Sequence, residues 1–190
     1  MMLKKLLLII VLLPVCAYAQ NQTAIFAGGC FWCVQADFDK LPGVVKTYAG
    51  YDGGKRANPT YRNVAAGGTR YAESVKVIYN PNKVSYPQLL NYFWHHIDPT
   101  VKDAQFCDHG PQYRTAIFYL NPTQQRLAMQ SLQAVQQQLN TTIYTQIVPS
   151  TRFYSAETYH QDYYKKHPLK YQYYRWSCGR DARVKEIWGS

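Results

Sequence analysis

A two-layer α+β sandwich is the fold this sequence predicts, and three observations carry it. Two stretches read strand–helix–strand, Thr23 to Tyr48 and Thr115 to Val148. No repeat, low-complexity block or second domain interrupts the 190 residues, and 47% of them are hydrophobic, enough for one domain with its own core. Behind the second stretch lies a tyrosine-rich tail without periodicity, expected to wrap over the sandwich as an extended, irregular segment.

The elements follow in order. Thr23 to Ala27 is an apolar run of strand length. Phe31, Val34, Phe38 and Leu41 recur at helical spacing, so a helix is expected from about Cys30 to Lys40, ended by Pro42-Gly43. Val44 to Tyr48 is a second strand, and Gly50 to Gly68 a long glycine-rich loop. Glu73 to Tyr79 alternates as a strand does, with Val75, Val77 and Tyr79 on one face. Ser85 and Gln88 form a capping box that opens a helix reaching Ile97. A loop from Asp98 to Tyr113 precedes a strand from Thr115 to Leu120. Asn121 as N-cap and Pro122 in the first helical position open a helix to about Leu139. Ile143 to Val148 is a further strand, and a short helix is expected around Arg180 to Trp188.

The first residues are read apart from this domain. Lys4-Lys5, the apolar run Leu6 to Val15 and Ala17-Tyr18-Ala19 have the order of a secretory signal peptide, with cleavage after Ala19. Residues 1–19 are then a leader and 20–190 the mature domain, exported to a periplasm or secreted. An uncleaved anchor is one alternative. A lipoprotein cut before Cys16 is another, although Val15 stands where such signals carry Gly or Ala. The formal charge of +10 becomes +8 without the two leader lysines. No basic run is long enough for a tail, and nothing arranges the tyrosine-rich segment as a nucleic-acid module, so a basic exported protein with no nucleic-acid partner is expected.

Loss of Cys16 with the leader leaves Cys30, Cys33, Cys107 and Cys178. In an oxidising compartment four cysteines read first as two structural disulfides. The run Gly28-Gly29-Cys30-Phe31-Trp32-Cys33 argues for reactivity instead. It sets Cys30 at a helix N-terminus, where the dipole and free N–H groups are expected to lower a thiol pKa, and it places two aromatic rings beside the sulfur. Cys33 completes a Cys-x-x-Cys, the pattern of a thioredoxin-like redox pair. Glu73, with Ala72 and Val75 as neighbours, is either an exposed edge carboxylate or a buried acid of raised pKa able to deliver a proton. Asp108 alone reads as a turn residue, and Tyr61 and Tyr113 are two of 18 tyrosines. His95 and His96 are adjacent in a helix and diverge, so no metal is expected.

Blocks along the chain resemble the A-type peptide methionine sulfoxide reductase family, in that family's order. They are Gly29-Cys30-Phe31-Trp32, Gly50-Tyr51, Asn58-Pro59-Thr60-Tyr61, Ala72-Glu73, His96-Ile97-Asp98-Pro99-Thr100, Gln112-Tyr113-Arg114 and Tyr159-His160-Gln161-Asp162-Tyr163. One departure is Arg70-Tyr71 ahead of Ala72-Glu73, where the family has Gly-His; it puts substrate access at the pocket rim in question. The resemblance implies a ferredoxin-like core with a mixed sheet and reduction of the S epimer of methionine sulfoxide, free or in peptides and proteins. Cys30 would attack the sulfoxide sulfur and Glu73 would protonate its oxygen. Tyr61 and Tyr113 would hold that oxygen, Asp108 would position a water or the substrate, and Phe31 and Trp32 would receive the methyl group. The sulfenic acid left on Cys30 would be resolved by a second thiol. Cys178 is the first expectation, in a Ser177-Cys178-Gly179 segment free to swing in; Cys33 is the competing resolver or relay, and Cys107 a weaker one. An external dithiol reductant of thioredoxin type would complete the cycle with no cofactor, and the enzyme is expected to be a monomer that repairs oxidised exported proteins. A thioredoxin-type oxidoreductase acting on protein disulfides and a disulfide-stapled binding protein are the competing functions.

Overall fold

The structure, a computed structural model, describes residues 20–189; the expected leader lies outside the described residues. Among the described residues, eight strands and seven helices follow one another. The strands are β1 (Gln22–Gly28), β2 (Val44–Asp52), β3 (Ala72–Tyr79), β4 (Ala104–Gln105), β5 (Asp108–His109), β6 (Thr115–Tyr119), β7 (Gln146–Pro149) and β8 (Tyr154–Ser155). The helices are α1 (Phe31–Phe38), α2 (Tyr61–Ala65), α3 (Tyr86–Trp94), α4 (Pro122–Leu139), α5 (Tyr163–Lys166), α6 (Pro168–Ser177) and α7 (Arg180–Trp188).

Six strands form one mixed sheet in the order β7-β6-β1-β3-β2-β8. β3 lies antiparallel between β1 and β2, so the first strand–helix–strand stretch is split by a third strand. The second stretch is a parallel β6–α4–β7 unit. One face of the sheet carries the main core. There Phe26 stacks between Phe38 of α1 and Phe93 of α3, at centroid distances of 4.9 and 5.0 Å. On the opposite face Ile25, Ala27, Ala116 and Phe118 are covered by Val148 and Phe153. The alternation of strand side chains distributes these residues between the two faces.

The predicted α+β class and mixed sheet are observed. Local signals explain the helix starts: the Ser85–Gln88 capping box opens α3, and the Asn121 side chain accepts from the Gln124 N–H at 2.9 Å ahead of Pro122. Both expected loops contain structure. β2 runs on to Asp52, Thr60 caps the short helix α2, and the 98–113 segment holds the β4–β5 hairpin and a 3-10 turn at Pro111–Tyr113. The tail departs furthest from its expectation. It is irregular only to about residue 162, and α6 is a ten-residue helix beginning at Pro168. Its apolar residues face both inward and outward: Tyr171 is buried, whereas Leu169, Tyr173 and Trp176 are exposed. That pattern erases the contrast by which helical periodicity is read.

Candidate active site

The site is built where β1 ends. Gly29 takes φ +83°, and a Cβ there would come within 2.5 Å of the Gln105 Cβ, so only glycine brings the chain this close to the β4–β5 hairpin. The next residue, Cys30, is the N-cap of α1, and its carbonyl accepts the Cys33 N–H at 3.1 Å. The first helical N–H, that of Phe31, is satisfied by Oε2 of Glu73 at 3.0 Å. A residue from the middle of the sheet is thereby locked to the helix N-terminus carrying the thiol.

Cys30, Phe31, Trp32, Tyr61, Glu73, Asp108, Tyr113 and Tyr174 line one small cavity of about 70 Å³. The sequence had singled out seven of these eight, drawn from α1, α2, β3, β5 and the 3-10 turn. Arg70 and Tyr71 are absent from the lining. Tyr71 is buried against Gly54 and donates its hydroxyl to the Arg56 carbonyl, while Arg70 is exposed at φ +62°. His95 and His96 stack on different rings, Trp188 and Tyr92.

The electrostatics correct one expectation. Burial pushes the Cys30 thiol well above the usual thiol range, and the neighbouring Cys33 and Glu73 add to the rise. Desolvation of a sulfur only 6% exposed outweighs the pull of one helix N-terminus, whose first N–H is already given to Glu73. Cys33, 2% exposed, moves the other way. A hydrogen bond from Cys30 lowers its pKa, and the Arg180 and Arg175 guanidiniums act in the same direction. Glu73 is 2% exposed, and burial raises it to about 8. At neutral pH it is therefore a carboxylic acid beside a thiol, the raised-pKa form considered from the sequence. Burial also raises Tyr61, to about 12, and moves Tyr113 and Asp108 upward.

The four cysteines among the described residues divide into two pairs. Cys30 and Cys33 are free and pack together with Tyr171, whereas Cys107 and Cys178 form a disulfide across 71 residues. Cys178 caps α6, and Gly179 at φ +66° turns the chain directly into α7. The Ser177–Gly179 segment is thus a helix–helix corner, in place of the free arm expected, and the thiol packed beside Cys30 is Cys33.

Several supporting residues carried no role in the sequence. His160 accepts from the Trp32 indole N–H at 3.0 Å and packs against Phe31 and Tyr61. Glu157 accepts from the Tyr61 N–H and the Tyr51 hydroxyl, both at 2.8 Å. Tyr163 stacks on Trp32 at 3.8 Å. Tyr174 enters the cavity from α6 and donates its hydroxyl to Asp108 at 2.5 Å. The block Tyr159-His160-Gln161-Asp162-Tyr163 was the available signal for His160 and Tyr163; Tyr174 had none.

Comparison with known proteins agrees with this geometry. Residues 22–190 match the model of the peptide methionine sulfoxide reductase family. Peptide methionine sulfoxide reductase MsrA 2 of Caulobacter vibrioides is 47% identical over 177 residues, covering 93% of this chain and 90% of that one. MsrA of Bacillus subtilis is 43% identical, with 90% and 98% covered. Among solved structures, methionine sulfoxide reductase A of Corynebacterium diphtheriae superposes with a TM-score of 0.77 at 33% identity, covering 80% of this chain and 78% of that one. Reduced Mxr1 from Saccharomyces cerevisiae gives 0.75 at 31% identity, with 78% and 87% covered. A buried thiol, a neutral buried carboxyl and an aromatic wall around one small cavity are thus found in a chain that belongs to the peptide methionine sulfoxide reductase family, an oxidoreductase acting on methionine sulfoxide.

Proposed function

We propose that the chain reduces the S epimer of methionine sulfoxide, free and in peptides or proteins, through a sulfenic acid on Cys30. The observation that carries this reading is the pairing of Cys30 with a protonated Glu73 in one apolar-walled cavity. A sulfoxide oxygen is a poor leaving group until it is protonated, and Glu73 holds a proton at neutral pH. Cys30 sulfur attacks the sulfoxide sulfur while Glu73 protonates the oxygen, with the Tyr61 and Tyr113 hydroxyls on that oxygen. Phe31 and Trp32 take the methyl group, and Asp108 positions the substrate from the hairpin. The oxygen passes to Cys30 as the sulfenic acid, and methionine leaves; one sulfur is oxidised by two electrons and the other reduced by two.

Cys33 resolves the sulfenic acid in this reading. It packs beside Cys30, and the Arg180 and Arg175 guanidiniums favour its thiolate. Its attack forms the Cys30–Cys33 disulfide and releases water. The Cys107–Cys178 pair then takes over the disulfide by thiol exchange and presents it at the surface, where Cys107 is exposed. A thioredoxin-type dithiol reduces that outer pair; Mxr1 of Saccharomyces cerevisiae has itself been solved in complex with Trx2. Residues 1–19 serve as an export leader for the domain over 20–190, which repairs oxidised proteins outside the cytoplasm as a monomer.

The test is single-turnover formation of methionine from its sulfoxide by the reduced protein. Cys30→Ser is expected to form none, and formation at a rate near wild type would refute the nucleophile assignment.

A further inference from the structure

Cys30 must lose a proton before it attacks, and its burial opposes that loss. Glu73 cannot accept this proton, because it must already hold one for the sulfoxide oxygen. Tyr61 and Tyr113 are themselves held protonated by burial. Besides Cys33, the small cavity sets the Tyr174 hydroxyl beside the Cys30 thiol, placed to favour its ionised form. That hydroxyl spends its own proton on Asp108, at 2.5 Å. Thiol, phenol and carboxylate thus form a chain from the buried sulfur to a half-buried carboxylate at the cavity edge.

We propose that Tyr174 is a further catalytic residue, carrying the Cys30 proton to Asp108. The Cys30 S–H proton moves to the Tyr174 oxygen as the Tyr174 O–H proton moves to the Asp108 carboxylate. The products are a thiolate, an unchanged phenol and a carboxylic acid, and no electrons are transferred in this step. Asp108 then releases its proton to solvent. Burial brings the Asp108 carboxyl upward, which suits it to accept.

The fold holds both ends of this relay. Cys107 immediately precedes Asp108, and Cys178 lies one helical turn beyond Tyr174, its N–H on the Tyr174 carbonyl at 3.0 Å. The Cys107–Cys178 disulfide therefore ties the hairpin bearing the acceptor to the helix bearing the phenol. The Tyr174 ring also meets Trp32 edge-on, at a centroid distance of 5.9 Å. Tyr174→Phe keeps this packing and deletes only the hydroxyl.

The inference deepens the reaction proposed above, and two measurements separate them. Wild type, Tyr174→Phe, Asp108→Asn and the double variant are prepared with the Cys107–Cys178 bond and two free thiols. Their single-turnover rate is measured at saturating N-acetylmethionine sulfoxide, and alkylation of Cys30 by iodoacetamide is followed on the Cys30 peptide at neutral pH. Each single variant is expected to slow both reactions at least fivefold, and the double variant to be no slower than the slower single one. Slowing of less than fivefold in Tyr174→Phe, or effects that multiply in the double variant, would overturn the relay. So would slow alkylation in Cys33→Ser with normal alkylation in Tyr174→Phe, since Cys33 would then be the acceptor. A wild type that forms no methionine yet shows the Tyr174 dependence of alkylation would refute the sulfoxide reaction and leave the relay standing.

Discussion

At the scale of single residues, the site rests on Glu73 being buried without a counter-charge. Its carboxyl lies near 8 in the fold against an ordinary 4.5, because burial disfavours the anion. A raised acid stabilises the fold fully below its unfolded pKa, and that contribution is lost as pH rises through the folded one. Glu73→Gln, which never ionises, is expected to unfold at the same urea concentration as wild type near pH 4. Near pH 8 it is expected to be more stable by on the order of 3 kcal/mol. The same substitution removes the proposed proton donor, so methionine formation is expected to fall by at least about a hundredfold. Equal urea midpoints at pH 8 would show that Glu73 is solvated.

At the scale of elements, α1 is held by the tail segment that follows β8. Gln161 bridges to the Ala49 backbone of β2, its amide oxygen accepting the Ala49 N–H and its amide nitrogen donating to the Ala49 carbonyl, and Gln35 accepts the Asp162 N–H at 2.9 Å. His160 sits between these contacts and fixes the Trp32 indole. His160→Ala leaves a partly buried N–H without its acceptor and opens a gap beside Phe31 and Tyr61. A loss of about 2 kcal/mol in urea unfolding is expected, with a raised KM for methionine sulfoxide and a smaller change in kcat. What the sequence disclosed at this scale follows from contrast. The alternation of Glu73 to Tyr79 and the Asn121-Pro122 start of α4 were legible because apolar spacing and cap chemistry are local. α6 was not, since tyrosines and Trp176 occupy both its buried and exposed sides and no apolar stripe stands out. The ionisation of Cys30 was misjudged for a related reason: a helix N-terminus can be read from neighbouring residues, whereas burial depends on the β4–β5 hairpin and α6, both distant in sequence.

At the scale of the whole molecule, the four cysteines among the described residues lie in two pairs. The inner pair is buried, with Cys30 lining the cavity and Cys33 packed behind it, and the outer pair joins α6 to the β4–β5 hairpin. Closing a loop of 71 residues restricts the unfolded chain, by about 4 kcal/mol in the loop-entropy model. The Cys107→Ser/Cys178→Ser double variant is accordingly expected to lose up to about 4 kcal/mol. It is also expected to form about one equivalent of methionine per chain without reductant, against about two for the fully reduced wild type. Equal yields would show that the outer pair takes no electrons. The order of events within the four thiols is the claim on which the account turns. A mass-spectrometric disulfide map, taken at successive times after one equivalent of methionine sulfoxide is added to the fully reduced protein, tests it most directly. A Cys30–Cys33 bond is expected first and a Cys107–Cys178 bond after it; a Cys30–Cys178 bond as the earliest species would contradict this order.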